Sequence, residues 1–289
     1  MGSSKVKTVT NFGYHALHTF WTCPRKYYWN YVEGIESKSQ SSALAVGILA
    51  HAMLAHVLHP DTWWDWPGAW AVARKDLAHR ALQYENIGPD VAFIEQELKR
   101  IFNVYEAAYH GSEELLGKTL AIELPFSYEI APGISMTGRI DRLTLLESGA
   151  YLEDHKTYGM QSTRAKKLKE FRIDKQITGY MKGADALGFK LVGAILSSLR
   201  KLPKNIEVFR DVQLRSQEEI HATVVQAQTT LLQIGHAAER MRLYEDLDRA
   251  YPQNTMSCFQ KFPCPYYELC CYGDSARQAY YQEVEDGSG

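Results

Sequence analysis

Three residues near the middle of the chain have the types and spacing for hydrolysis of a phosphodiester. Asp141 closes the stretch Gly138-Arg139-Ile140-Asp141, and Asp154 and Lys156 belong to Asp154-His155-Lys156. Both stretches read as neighbouring strands joined by a tight hairpin, which would bring the two carboxylates close together. Carboxylates so placed repel each other unless a divalent cation sits between them. Hard oxygen ligands of this kind suit Mg²⁺ or Mn²⁺. Lys156 stands two residues past Asp154, so on a strand its side chain leaves on the same face. An amine there can orient a metal-bound water and stabilise charge developing on a phosphate. An ordinary salt-bridged strand pair would use the same three residue types.

Two flanking features bear on that choice. His51, in Gly47-Ile48-Leu49-Ala50-His51, lies on an apolar helix, where a histidine is either a satisfied core residue or a further metal ligand. Gln176 and Tyr180 are four apart and share a helix face; both can hydrogen-bond a phosphate, and the tyrosine can stack on a base. Tyr180 also falls in step with Ile173, Ile177, Ala184 and Leu187, as a core residue would. Between the strands and this helix runs a basic stretch, residues 161–175, with Arg164, Lys166, Lys167, Lys169, Arg172 and Lys175 against Glu170 and Asp174. The whole chain carries a net charge of −2, so this is a local patch on an acidic body. Lys166, Lys167 and Lys169 are candidate phosphate contacts; a solvated helix face is the commoner fate of such a run.

The five cysteines are Cys23, Cys258, Cys264, Cys270 and Cys271, and four of them crowd into Cys258 to Cys271. The first ten residues contain no apolar core of a secretory signal, which argues against a disulfide framework. Thiolates grouped among Pro263, Pro265 and aromatics suit zinc or an iron–sulfur cluster; a metal-free cluster of buried thiols is the alternative. A cluster usually needs four thiolates, and Cys23 is the only distant candidate.

These residues must be positioned by a globular scaffold. The 289 residues are 45% apolar and 23% charged, which excludes disorder, and the length suggests about two domains. The longest apolar stretch, residues 43–58, is interrupted by His51 and His56 and falls short of the ~20 residues of a membrane span. Hydrophobic spacing predicts helices over 14–31, 43–58, 69–84 and 90–110, the last from Val91, Ile94, Leu98, Ile101, Tyr105 and Ala108. Strands follow over 120–130, 135–146 and 150–157 as an antiparallel meander, with Ser148-Gly149 as a hairpin signal. A helix over 174–187 and strands over 191–199 and 206–214 come next. Ser216 and Glu219 form a capping box before a long helix from Ile220 to Met241. The change of texture divides the chain into a helical region at 1–118, a core at 119–215 and a helix with a Cys-rich tail at 216–289.

Taken in order, the motifs resemble the PD-(D/E)XK nuclease superfamily, in its RecB-like branch with an iron–sulfur cluster. That branch includes the AddB helicase–nuclease subunits and the CRISPR-associated adaptation exonucleases. The carriers are Cys-Pro-Arg-Lys-Tyr-Tyr from Cys23, Gly47-x3-His51, Gly138-x2-Asp141, Asp154-x-Lys156, Gln176-x3-Tyr180 and the terminal cysteines. Ile140 stands where the superfamily's namesake motif has proline, as suits the RecB-like branch, and five residues separate Cys258 from Cys264 where the family usually has two.

The resemblance implies an α/β fold, a restriction-endonuclease-like mixed central sheet flanked by helices, with an extra helical layer and a Cys-rich tail. It implies that His51, Asp141 and Asp154, with the backbone carbonyl of His155, hold Mg²⁺ or Mn²⁺ while Lys156 positions the attacking water. Gln176 and Tyr180 would support the site and the bound strand, and Glu123 is a further acidic member. Cys23, Cys258, Cys264 and Cys270 would ligate a [4Fe–4S] cluster, with Cys271 competing for the last place and zinc as the other occupant. The expected activity is a metal-dependent DNA exonuclease acting on ends or single strands. Its setting would be the cytoplasm of a bacterial or phage-infected cell, away from membranes, beside recombination, repair or CRISPR-adaptation proteins. The rival is a non-catalytic iron–sulfur scaffold that binds DNA.

Overall fold

The structure is a computed structural model that describes residues 11–259 and 263–283. The first ten residues, read above for a secretory signal, lie outside the described residues. The chain begins with β1 (Asn11–Gly13), α1 (Tyr14–Thr22) and α2 (Pro24–Tyr27), then a π-helical turn at Tyr28–Val32 and β2 (Ile35–Ser37). The single helix expected over 14–31 is therefore broken. Proline disfavours the helical conformation of the residue before it, and Cys23 is extended, with Pro24 opening the next helix.

Three long helices follow: α3 (Ser42–Val57), α4 (Trp66–Gln83) and α5 (Ile87–Tyr109). Ser41 accepts a hydrogen bond from the Leu44 N–H and starts α3. Asp65 does the same for the Gly68 N–H, which starts α4 three residues ahead of the expected position. Then come β3 (Lys118–Ala131), β4 (Ile134–Leu146) and β5 (Gly149–Gly159). The basic stretch forms its own helix, α6 (Arg164–Arg172), capped by Thr163, and Asp174 caps α7 (Lys175–Ala186). Next are β6 (Leu191–Lys201), β7 (Ile206–Gln213) and α8 (Gln217–Tyr244). The predicted box is present: Ser216 Oγ accepts from the Glu219 N–H and Glu219 Oε2 from the Ser216 N–H. The chain ends with α9 (Leu247–Ala250), α10 (Tyr267–Tyr272), α11 (Asp274–Tyr280) and β8 (Tyr281–Glu283).

The described residues form two compact units, one from 11–39, 129–137, 222–259 and 263–283, the other from 40–128 and 138–221. Both are built from segments distant in sequence, an arrangement that a division along the chain cannot express. In the second unit β4 and β5 pair antiparallel, β5 and β6 parallel, and β6 and β7 antiparallel; β3 pairs with β4. The sheet is mixed, and α3, α5, α6 and α7 flank it. Leu49, Met53 and Leu54 of α3 bury fully against Leu98, Ile101 and Tyr105 of α5. Each such aliphatic side chain contributes about 1.5–3 kcal/mol by leaving water. That packing holds α3, and with it His51, against the strands. In the first unit β1 runs parallel to the opening residues of β4, and β2 pairs antiparallel with β8. Ile35, Tyr266, Leu269, Ala276 and Tyr281 form its small core, with Trp29 and Cys264 against it.

Candidate functional site

The second unit brings the expected catalytic residues together. The β4–β5 ladder reaches Arg142 opposite Glu153, one residue short of Asp141 and Asp154. Beyond it the Asp141 side chain takes the next donor: its Oδ2 accepts from the His155 N–H at 3.2 Å. The same oxygen lies 3.2 Å from Nδ1 of His51. Gly47, one turn earlier on α3, sits against Thr157 of β5, so helix and strand approach closely at this end. On β5, Lys156 Nζ donates to Asp154 Oδ1 at 2.8 Å, while Asp154 Oδ2 is buried with no hydrogen-bond partner.

The electrostatics separate the two carboxylates. Burial raises the pKa of Asp154, and the negative charge of Asp141 adds to it. Burial would raise Asp141 too, but the His51 hydrogen bond and the surrounding cations hold it below the usual range. His51 is raised: desolvation opposes its charge, and the bond to Asp141 outweighs it. Desolvation likewise opposes the charge on Lys156, and the two aspartates overcome that and raise it. The imidazole of His155 is pushed down to about 4 by burial and is neutral at neutral pH.

Glu123 reaches the same place from β3. Its φ of 47° lies in the left-handed region, a strained conformation for a residue with a Cβ. Burial and Asp141 raise its carboxyl, and Arg139 stands 3.7 Å away. Glu123, Arg139, Asp141 and Lys156 line one side of a cavity of about 660 Å³, facing Leu44 and Ile48 of α3. The Gln176 side-chain amide donates to Tyr180 Oη at 3.0 Å, and Tyr180 feels the charges of Asp141, Lys156 and Asp154. Tyr180 is half-buried, edge-on to Phe126. The Phe126 ring occupies the space that side chains at Gly138 and Gly183 would fill.

Lys166 and Lys169 are exposed on α6. Lys167 pairs with Glu170 and lies over the Tyr158 ring. Among the described residues, none of these three lysines forms an ion pair with Asp141 or Asp154.

Sequence reading missed a second set of charges directly behind the first. Glu153 and Arg142 are fully buried, and Arg142 Nη1 donates to Glu153 Oε2 at 2.7 Å. Arg210 of β7 donates to both Glu153 oxygens, at 3.0 and 3.2 Å. Arg142 also reaches the carbonyls of Leu116 and Gly117 and the Thr119 hydroxyl. This network ties β3, β4, β5 and β7 together beside Asp141 and Asp154. The available signal was the opposite charge at paired strand positions, Arg142 and Glu153.

In the first unit, Cys23 is buried and its sulfur accepts the Asn254 N–H at 3.4 Å. Burial raises the Cys264 thiol, with Cys258 and Cys23 adding to the effect. Burial raises Cys270 as well, with Cys264 and Cys23 adding, against the Trp29 indole N–H and Arg25. The Cys264 thiol thus feels Cys258 and Cys23, and the Cys270 thiol feels Cys264 and Cys23. Cys271 is exposed, and its partner is Tyr267. Among the described residues, no group of three or more His, Cys, Asp or Glu side chains is arranged to hold a metal ion.

A mixed sheet flanked by helices, with an Asp–Asp–Lys constellation at the open end of a hairpin, defines a nuclease-type α/β fold. The chain belongs to the PD-(D/E)XK nuclease superfamily, whose model matches residues 11–271. Among solved structures it resembles SSO0001, at 15% identity and a TM-score of 0.36, over 79% of each chain. It also resembles a Eubacterium rectale protein named "Putative exonuclease", at 13% identity and a TM-score of 0.49, over 97% of this chain and 91% of that one. No curated protein matches the chain. Among the described residues, no helix is long and apolar enough to cross a membrane.

Proposed function

We propose that this chain is a divalent-metal-dependent deoxyribonuclease that hydrolyses phosphodiesters as an exonuclease, at DNA ends or on single strands. The observation that carries the reading is the divided environment of Asp154: one oxygen bound by Lys156, the other buried without a partner. The donor chemistry fits a hard cation. His51, Asp141 and Asp154, with the His155 carbonyl, would hold Mg²⁺ or Mn²⁺. When bound, the ion would supply Lewis-acid activation of water and of the scissile phosphate.

The chain's own groups prepare the rest. The His155 N–H and His51 fix the Asp141 carboxylate in one orientation. Asp154 holds the Lys156 amine in place, aimed from the same strand face, where it can orient water and offset charge on the phosphate. Gln176 restrains Tyr180 beside them, where the ring can support a bound strand. Base-specific readout is not expected, because these groups address phosphate and metal. DNA as substrate, exonuclease action and a cytoplasmic setting rest on the motif resemblance.

The same reading assigns Cys23, Cys258, Cys264 and Cys270 to a [4Fe–4S] cluster that closes the first unit. The influence of Cys23 and Cys258 on Cys264, and of Cys23 and Cys264 on Cys270, supports it, as does the exposure of Cys271.

The direct test is digestion of end-labelled linear DNA and of a covalently closed circle, with Mg²⁺ or Mn²⁺. Loss of the linear substrate from its ends, with the circle intact, is the expected result. Cleavage of the circle would replace exonuclease with endonuclease, and no cleavage of either would overturn the reading.

A further inference from the structure

A second, smaller cavity lies within the first unit. It has a volume of about 280 Å³ and is lined by Phe20, Pro24, Gln233, His236, Arg240 and Pro252. Gln233, His236 and Arg240 are three and then four residues apart, so all three leave one face of α8. Each offers N–H donors, and no carboxylate lines the cavity.

Arg240 is the unusual member. Its Nε is buried with no hydrogen-bond partner. Its guanidinium makes one long contact, Nη2 to the Ala250 carbonyl at 3.4 Å. Three other arginines of this unit find acids, Arg25 with Asp248, Arg242 with Glu239 and Arg277 with Glu33, while Arg249 lies over the Tyr244 ring. Among the described residues Arg240 forms no ion pair. A buried charged donor left unsatisfied is costly, and an anion with several acceptor oxygens removes that cost.

We infer that this cavity is a binding site for a phosphate monoester. Arg240 would give a fork of donors, and His236 and Gln233 would reach the remaining oxygens from the same helix face. Donors arriving from three points suit a tetrahedral oxyanion better than a planar carboxylate. Phe20, Pro24 and Pro252 supply apolar walls for the group esterified to it, and the volume exceeds what a bare phosphate needs. The site shares no residue with the proposed metal centre and does not depend on it. Its ligand could be a free nucleotide or the phosphorylated end of a strand, which share this chemistry.

The test is calorimetric titration of the full-length chain without added divalent metal. The probes are inorganic phosphate, thymidine 5′-monophosphate, and a short DNA strand with and without a terminal phosphate. Arg240→Gln should weaken monophosphate binding about tenfold or more. His236→Ala should weaken it severalfold with an unchanged melting temperature, because His236 is exposed. A phosphorylated strand that binds better than its hydroxyl counterpart would identify a strand end; a monophosphate that binds as well would identify the free nucleotide. If Arg240→Gln fails to fold, His236→Ala and Gln233→Ala decide the question, since both positions are exposed. Absence of monophosphate binding, or equal binding by all variants, overturns the inference.

Discussion

Lys156 and Asp154 share a strand face, and the amine occupies only one of the two carboxylate oxygens, at 2.8 Å. The other oxygen is buried and unpartnered. The pair therefore leaves one carboxylate oxygen free to accept a further partner. Burial and the nearby Asp141 charge keep Asp154 a reluctant anion. A structural salt bridge has no physical need for a second buried carboxylate at its side.

Asp154→Asn and Lys156→Ala should each lower DNA cleavage by about 10²-fold or more, the scale of losing one group that acts on developing charge. DNA binding, followed by gel shift with Ca²⁺ in place of Mg²⁺, should change by no more than a few fold. Wild-type turnover in either variant would remove both residues from the reaction.

Glu153→Gln should be among the most destabilising isosteric changes in the chain. It leaves Arg142 and Arg210 without the carboxylate they enclose. Breaking a buried pair in this way costs about 3–5 kcal/mol. Burial would raise the Glu153 carboxyl, but Arg142 and its other cationic neighbours hold it down at about 2. A depressed carboxyl adds stability above its unfolded pKa, and that stability is lost as pH falls toward about 2. Urea unfolding at pH 7 and pH 3 should show the wild type losing more stability than the variant on acidification. Parallel losses would assign the acid sensitivity elsewhere.

Cys264→Ser and Cys271→Ser should behave differently. The first should lose iron from protein purified without oxygen and melt at lower temperature; the second should keep its iron. The reason is position: Cys264 is packed against the first unit's core near Cys23 and Cys258, and Cys271 is exposed. Equal iron content in the two variants would refute the assignment of ligands. Zinc in place of iron in the wild type would replace the cluster with a single-metal site.

Replacing Lys166 and Lys169 with glutamate should weaken DNA binding and flatten its dependence on salt. Each lost phosphate contact reduces the slope of log affinity against log salt by about 0.9 on duplex DNA and about 0.7 on a single strand. Both lysines are exposed, so the fold should be unaffected. An unchanged slope would return α6 to a plain solvated surface.

How much of this was legible beforehand differs from element to element. The strands carrying Asp141 and Asp154, the capping box at Ser216 and the long helices were readable from spacing, because periodicity and caps are local properties. The break at Cys23 was also encoded locally, in Pro24, but the aromatic run around it reads as one helix. The mixed sheet flanked by helices agrees with the expected fold class. The Arg142–Glu153–Arg210 network was hidden because charged residues on a strand read as a solvent face, and only burial between β4, β5 and β7 makes them a core.

By itself, the sequence determined the longer elements of the second unit, their order and the superfamily's motifs, since each depends on residues within a turn or a strand of one another. Tertiary structure alone decided that His51 meets Asp141, that Cys271 is exposed while Cys23 is buried, and that Arg240 Nε is buried without a hydrogen-bond partner. Such outcomes depend on residues far apart in the chain. They arise from how apolar faces bury, and no local pattern carries that distance.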